Sequence, residues 1–419
     1  MAYYHHWMFE LHVWMPWVWI ALLWLATSLY LSLFYGASLW LFNRIRAPWL
    51  FPCCWIVGEW LRSLGVIGNP AGVMGYTQTS ILPVLQLASV FGVFGVSFFV
   101  VFVNTALFYR RWIPLTVGVL CVLGFGFYRL LQPADGPTIR VALVQPNHAQ
   151  TEKLDGANTN HMLANYLQLT QQALLEKPDL VIWPETITPT LNLRNWVFVA
   201  QLSGLARSAN VSILFGTPLD ENGRYYNSLV LMTPTGLSPT LYKKMRLMPF
   251  GEYWPLKKAS AYLGLGKWAA GADYSAGGAP TLMQAGTIKI GGRVCLESIY
   301  PWFFRDMKDA DILAVFANNA WFFDSIAAEE HFQMSQVRAV ENNRYLIQCA
   351  NTGISGFVSN TGAALQKTTL DTQATLTTAI PTGLPPSLYS LLGDIIVYLA
   401  IGLILWQLGS ALISTKLRR

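Results

Sequence analysis

Three side chains stand where layered α/β proteins place reactive groups. Glu185 follows the apolar run "LVIW", Lys244 follows "PTLYK", and Cys295 follows "IKIGGRV". Each lies at the C-terminal end of a strand-like segment, and loops over strand ends assemble sites from distant parts of a chain. A carboxylate, an ammonium and a thiol make chemical sense together. The carboxylate takes the thiol proton, the cation favours the thiolate, and the same cation stabilises an oxyanion. Spacing alone leaves the plain alternative open, because a lone cysteine is most often a small buried residue and inert.

Other chemistries find little support. The chain has five cysteines but no CxxC, HExxH or clustered Cys/His set, so neither a metal nor a disulfide framework is indicated. Cys295 and Cys349 pair only if the fold brings them together. Neither a GxxxxGKS nor a GxGxxG phosphate loop occurs.

The elements that must position these residues lie between about Pro137 and Pro386, where short β-branched runs alternate with amphipathic stretches. Strands are expected at Thr138 to Asn147, at "DLVIWPET" and at "VSILFGTP", with helices at Asn160 to Leu175 and Trp196 to Ala209. Two hairpin-like runs follow, "YYNSLVLMTPTG" and "LSPTLYKK". "TIKIGGRVCLES" reads as another hairpin with Gly291-Gly292 at its turn. A helix near Pro301, the strand "DILAVFANNA", a helix at Glu330 to Asn343 and "RYLIQCANTGISGFVSNTG" complete a mixed sheet layered with helices.

Around this domain the composition is that of a membrane protein. Of 419 residues, 53% are hydrophobic and 12% charged, with 17 Trp, too apolar for one soluble domain. Trp17 to Phe42, Ile81 to Tyr109, Trp112 to Leu131 and Leu388 to Ile413 each reach the roughly 20 residues that cross a bilayer. Pro48 to Ile67 is interrupted by Glu59 and Arg62, three apart and able to pair. The first apolar run lacks the features of a cleavable signal peptide. Arg44, Arg46, Arg110, Arg111, Lys416, Arg418 and Arg419 flank the spans. Placing them all in the cytoplasm requires Pro48 to Ile67 to cross, and puts the N-terminus and the globular domain outside. These charges account for most of the +6 net charge, so no nucleic-acid partner is needed. The division expected is 1–136 membrane helices, 137–386 catalytic domain, and 387–419 last span and basic tail.

Several segments, in order, carry a resemblance: "VIWPET", "YKKMRLMPFGEYWP", "VCLES", "NNAWF" and "EHFQMSQVRAVENNRYLIQCANTGISG". Together they resemble the nitrilase (carbon-nitrogen hydrolase) superfamily and its membrane branch, apolipoprotein N-acyltransferase; "GEWLRSLGVIGNPAGVMGYTQ" resembles that branch's membrane part. The resemblance implies a nitrilase-like αββα sandwich on an all-α transmembrane bundle in the bacterial inner membrane, with the site facing the bilayer. It implies Glu185 as general base, Lys244 as oxyanion stabiliser and Cys295 as nucleophile, supported by Glu252 in "PFGE" and by Glu297. It implies a ping-pong reaction without metal or cofactor. An acyl chain passes from a phospholipid, typically phosphatidylethanolamine, to a Cys thioester. From there it moves to the α-amino group of the diacylglyceryl cysteine of an apolipoprotein. Leu296 stands where the family usually has Tyr, and Leu154 where it has a functional Trp; both are expected to touch or frame lipid. Asn318, Asn319 and Trp321 are expected to line the site. Most of the family carries about three more membrane segments at the N-terminus, which suggests a shortened member or a mis-assigned start.

His331 reads as a capping or structural residue, Glu341 and Arg344 as a salt bridge, and Asp394 as bundle-facing polarity about 10 Å into the last span. Lys243, Arg246, Lys257 and Lys258 are candidates for lipid phosphates. Two rivals stand beside the acyltransferase: a membrane-tethered amidase or lipid hydrolase with water as acceptor, and a non-catalytic lipid-binding homologue.

Overall fold

Long uncharged runs have no way to bury their backbone except as helices, and the first part of the chain obeys this. The computed structural model describes residues 5–13, 15–45, 47–188, 193–249, 251–253 and 273–417, with side chains described as far as Ala411. Trp17–Ile45 (α1), Phe51–Ser63 (α2), Ala88–Phe108 (α3) and Trp112–Leu130 (α4) form the N-terminal bundle, and Ile395–Leu417 (α8) returns to it. Among the described residues, α1, α3 and α4 are long and apolar enough to cross a membrane. Helix α1 buries only Ile20, Ser28, Leu31 and Ser38 and turns the rest of its surface outward. It meets α2 through small residues: a Cβ on Gly58 would lie 2.1 Å from Ser38 Oγ.

Between Pro48 and Ile67, the stretch whose crossing would put the globular domain outside, the chain folds as a short turn and the 13-residue α2. Glu59 and Arg62 are both fully buried. Rather than pairing, they tie down the loop after α2. Glu59 accepts from Met74 N at 2.8 Å, and Arg62 Nη1 donates to Asn69 O and Ala71 O at 2.7 Å each. Asp394 lies just ahead of α8, beyond Gly393, and not inside a span; Tyr389 and Trp60 donate to it.

Among the described residues, thirteen strands build the rest in two sheets. The first runs β13-β1-β2-β3-β4-β5, with β6 also on β4: Ala374–Pro381, Thr138–Gln145, Leu180–Ile182, Ser212–Glu221, Arg224–Thr233, Gly236–Leu237 and Tyr242–Lys243. The second runs β12-β11-β10-β9-β8-β7: Ala364–Lys367, Gly356–Val358, Leu346–Ala350, Ile312–Ala317, Ile288–Val294 and Leu282–Ala285. Both are mixed. Strands β1, β2 and β3 are parallel, as are β8, β9 and β10, with antiparallel strands outside them. The sheets pack face to face through Val141, Leu143 and Ile182 of one and Ile290, Phe316 and Ile347 of the other.

Helices Thr159–Leu174 (α5) and Trp196–Ala209 (α6) cover the first sheet's outer face through Tyr166, Leu169, Phe198 and Leu202. Ala327–Asn342 (α7) lies on the second sheet through Phe332 and Ala339. Its opposite side, Met334, Val337 and Val340, packs into the membrane bundle. The result is an αββα sandwich with one outer layer shared with the bundle.

The Gly291-Gly292 turn expected from the sequence does not exist. Strand β8 runs straight through both glycines, and the β7–β8 turn is at Gly286, with φ +60°. Packing explains the pair. A Cβ on Gly291 would touch Leu313 at 3.0 Å, and one on Gly292 would meet Leu229 of the facing sheet at 2.7 Å.

Candidate active site

The two parallel cores end their strands on the same side, and the reactive residues stand just past those ends. After β2, Gly216 N bonds Pro184 O and Ile187 N bonds Gly216 O, so the Glu185 loop runs against β3. Only glycine fits there, since a Cβ on Gly216 would lie 2.8 Å from Glu185 Cα. Lys244 follows β6, its backbone N–H donating to Asn227 O of β4 at 2.8 Å. Cys295 follows β8 in the left-handed region, φ +47°, opening the five-residue turn Cys295–Ile299. A β-strand that ends in such a residue turns its side chain sharply off the sheet, and the strain is typical of functional positions.

The structure brings Glu185, Lys244 and Glu252 into one buried cluster. Lys244 Nζ lies 3.2 Å from Glu185 Oε1 and 2.9 Å from Glu252 Oε2. Asn227 Nδ2 donates to both carboxylates, and Met248 N donates to Glu252 at 2.7 Å. Burial alone would depress the Lys244 ammonium, but Glu185 and Glu252 outweigh it and hold it well above its ordinary value. Cys295 is half-buried and lines a cavity. Burial pushes its thiol up to about 12, Glu185 and Glu252 adding to the effect and Lys244 opposing it. At neutral pH the cluster therefore holds an S–H and a cation. A thiolate at this position forms by proton transfer to a neighbouring acceptor.

Glu297 serves a different purpose from the cluster. It is fully buried and accepts from Tyr242 OH at 2.7 Å, Met245 N at 2.6 Å, Arg246 N at 3.1 Å and Val294 N at 2.9 Å. One carboxylate thus clamps the chain after Lys244 to the chain before Cys295. Burial raises its pKa above the ordinary carboxylate range, and Arg293 opposes that.

The cavity has a volume of about 640 Å³, within the range of small-ligand sites. Its walls come from both parts of the protein: Ile20 and Leu23 of α1, Val66 and Ile67, Met245 to Pro249, and Leu296 beside Cys295. Of the residues expected to contact lipid, Leu296 lines it. Leu154 does not; it is 47% exposed. The short helix Gln150–Leu154 turns its polar residues inward instead. Lys153 is buried, with Nζ 3.4 Å from Glu185 O, and burial pulls its ammonium down to about 8. Asn318 and Asn319 are buried outside the lining. Asn318 bonds Gln150 and Asn351, while neither amide atom of Asn319 has a partner among the described residues. Trp321 is half-buried and also outside it.

The two lipid-phosphate candidates among the described residues are otherwise engaged. Lys243 pairs with Glu221 at 2.6 Å. Arg246 lines the cavity, but its Nη2 donates to Gly65 O, Val66 O and Gly68 O. Lys257 and Lys258 lie outside the described residues. Glu341 pairs with Arg338 at 3.1 Å and not with Arg344. Arg344 follows the left-handed Asn343 that ends α7, so it leaves the helix face and bonds Lys308 O, Ala310 O and Pro385 O. Cys349 is free and buried, its thiol on Val144 O and Ile182 O, and makes no disulfide with Cys295.

Comparison with known sequences bears on what this cluster belongs to. A carbon-nitrogen hydrolase family model matches residues 140–384, more than half of the chain. A model of the apolipoprotein N-acyltransferase N-terminal domain matches residues 1–106. Apolipoprotein N-acyltransferase of Geobacter metallireducens is 33% identical over 82% of this chain and 70% of its own length. The chain belongs to the apolipoprotein N-acyltransferase family. The enzyme of that name from Methylococcus capsulatus is 32% identical over 87% of this chain and 75% of its own, and that from Nitrosomonas europaea 30% over 90% and 78%. Among solved structures, an amidase from Nesterenkonia sp. is similar at 18% identity and TM-score 0.45, covering 59% of this chain and 92% of that one. The family places the chain among acyltransferases built on a carbon-nitrogen hydrolase fold in a membrane.

Sequence reasoning passed over Asn227 and Lys153. Asn227 is the one amide in the run "YYNSLVL". Lys153 and Gln150, three apart, mark the inner side of a short helix whose polarity is reversed. Both are local violations of an apolar pattern, the kind that accompanies sites.

Proposed function

We propose that the chain moves a fatty acyl group from a phospholipid, by preference phosphatidylethanolamine, to the α-amino group of a diacylglyceryl-modified N-terminal cysteine. The reading places it in the bacterial cytoplasmic membrane with the catalytic domain outside the cytoplasm. What carries the reading is Cys295 at the wall of an apolar cavity, with the Glu185–Lys244–Glu252 cluster acting on its thiol. A thiol needing only a small soluble amide would have no use for a cavity walled by Ile20 and Leu23 of a long apolar helix.

The chemistry follows in two balanced halves. Glu185 takes the Cys295 proton as sulfur attacks the ester carbonyl, and Lys244 faces the oxyanion. The C–O bond breaks, Glu185 returns the proton to the leaving alkoxide, and lysophospholipid departs from a thioester. In the second half the amine nitrogen attacks the thioester carbonyl and gives a proton to Glu185. The C–S bond breaks, and the proton passes back to sulfur. Asn227 and Glu252 fix Lys244 against Glu185 throughout, and Glu297 sets the distance between the lysine and cysteine loops.

The test is intact mass spectrometry of the purified protein incubated with phosphatidylethanolamine, beside Cys295→Ala. A gain of one acyl chain, absent from the variant and discharged by a diacylglyceryl-cysteine peptide, is expected. Release of free fatty acid without an amine would assign hydrolysis instead, and no adduct or product at all would reject both.

A further inference from the structure

His331 enters the cavity wall beside Cys295 from the first turns of α7, and the reaction as derived so far gives it no task. It is buried, and its Nε2 lies 2.5 Å from Ser298 Oγ. Ser298 in turn donates to Cys295 O at 2.7 Å. Proton counting fixes the direction of this chain. A serine hydroxyl has one proton, and here it points at the Cys295 carbonyl, so Ser298 accepts from His331 and the ring proton is on Nε2. Nδ1 is then an acceptor. No hydrogen bond reaches it among the described residues, and it is not one of the sealed, unpartnered atoms of the interior. The His331 ring is part of the cavity wall. Burial pulls the imidazole down to about 4, with Lys244 adding to this and the Cys295 carbonyl opposing it. The ring stays neutral at physiological pH: a weak base, but a constant acceptor held within one serine of the nucleophile.

The two half-reactions differ in whether they need such a group. An ester donor brings no N–H to the reacting carbon. An incoming primary amine brings two. One of its protons leaves to Glu185; the other must be held if the lone pair is to point at the thioester carbon. We propose that His331 Nδ1 accepts the second N–H of the acceptor's primary amine and so orients it for attack. This assignment rests on the thioester reading above. It makes His331 a determinant of the acceptor and not of the acyl donor, and it gives the site a reason to prefer a primary amine to an N-methylated one.

The experiment uses the full-length protein in detergent micelles, charged with phosphatidylethanolamine, and follows thioester formation and its discharge separately by mass. The acceptors are a diacylglyceryl-cysteine peptide and the same peptide methylated on its α-nitrogen. His331→Gln retains an amide donor for Ser298 but has no acceptor at the Nδ1 position; His331→Asn puts an oxygen near that position. In His331→Gln, discharge to the primary amine is expected to slow about tenfold or more, the loss of one oriented hydrogen bond, while thioester formation stays within about threefold. The preference for the primary over the methylated acceptor should shrink with it, and His331→Asn should recover part of both. Equal slowing of the two steps, or an unchanged acceptor preference, would overturn the proposal and leave His331 a support for the turn at Cys295. If the wild-type protein forms no thioester, the underlying reading fails and takes this inference with it.

Discussion

Glu185 and Glu252 are bridged by one amide: Asn227 Nδ2 lies 2.8 Å from an oxygen of the first and 2.6 Å from an oxygen of the second. Two buried carboxylates so close repel each other unless something between them is positive or donates. Here Lys244 supplies the charge and Asn227 the second contact. Asn227→Ala is expected to slow thioester formation about 100-fold, the loss of bonds to charged groups. Asn227→Asp should be slower still, because a third carboxylate raises the thiol further. Initial rates of lysophospholipid release check both, and an Ala variant within threefold of wild type contradicts the account.

The free thiol offers a direct pH test. An ordinary cysteine is half thiolate at about pH 8.5, whereas Cys295 is held up to about 12. Inactivation of lipid-free protein by iodoacetamide should therefore rise about tenfold per pH unit from pH 8 past pH 10 with no plateau. Levelling below pH 9 would mean that Lys244 dominates the thiol and that a thiolate is already present.

Lys153 is a buried ammonium with one long bond to a carbonyl. Its folded value, about 8, lies below the ordinary 10.5. Between those two values the unfolded chain keeps a proton that the folded one has released, so stability rises with pH across that window and is penalised below it. The gap corresponds to at most about 3 kcal/mol. Lys153→Met should raise the melting temperature at pH 7 and flatten its rise toward pH 9.5, while lowering turnover because Glu185 loses a neighbouring cation. Melting curves at the two pH values decide it; a destabilised variant would show that Lys153 is held by more than Glu185 O.

At the junction with the bundle, Glu341 pairs with Arg338 and accepts from Val93 N at 2.7 Å. That N–H is free because α3 breaks at Gly92, φ +66°. Glu341→Ala leaves Arg338 buried and uncompensated, a loss of about 3–5 kcal/mol. We expect early protease cleavage in this variant, with Arg338→Met/Glu341→Leu largely restoring resistance. Equal resistance of wild type and Glu341→Ala would contradict this.

Strand ends were the legible part of the molecule. Glu185, Lys244 and Cys295 each follow an apolar run, and such runs end in loops whatever the fold around them. The helix at Trp196 to Ala209 was readable to the residue, since its stripe is apolar and Asn210 stops it in a left-handed cap. Contacts set by distant chain were not readable. Gly291-Gly292 has the letters of a turn, yet its size serves Leu313 on one side and Leu229 on the other. Glu341 and Arg344 have helical spacing, but the helix stops between them at Asn343. Leu154 and Lys153 exchange the places that hydropathy gives them, because the first is on the outside of a short helix and the second lies against Glu185.

The domain's first and last strands are neighbours. Thr138 faces Pro381 across β1 and β13, and Thr382 N closes the ring on Pro137 O at 2.8 Å. The chain therefore enters and leaves through a single stalk. A stalk carries tension but resists twisting poorly. The domain is kept from swivelling by α7, gripped between the second sheet and the bundle, together with side bonds such as those of Arg246 to Gly65 O, Val66 O and Gly68 O. The same helix carries His331 into the cavity, so the bearing that fixes the domain's angle to the membrane is also a wall of the reaction chamber. A change of length at the stalk can be absorbed by its turns. A slip of one residue along α7 would rotate the chamber away from its lipid-facing wall with every member of the Cys295 cluster still intact.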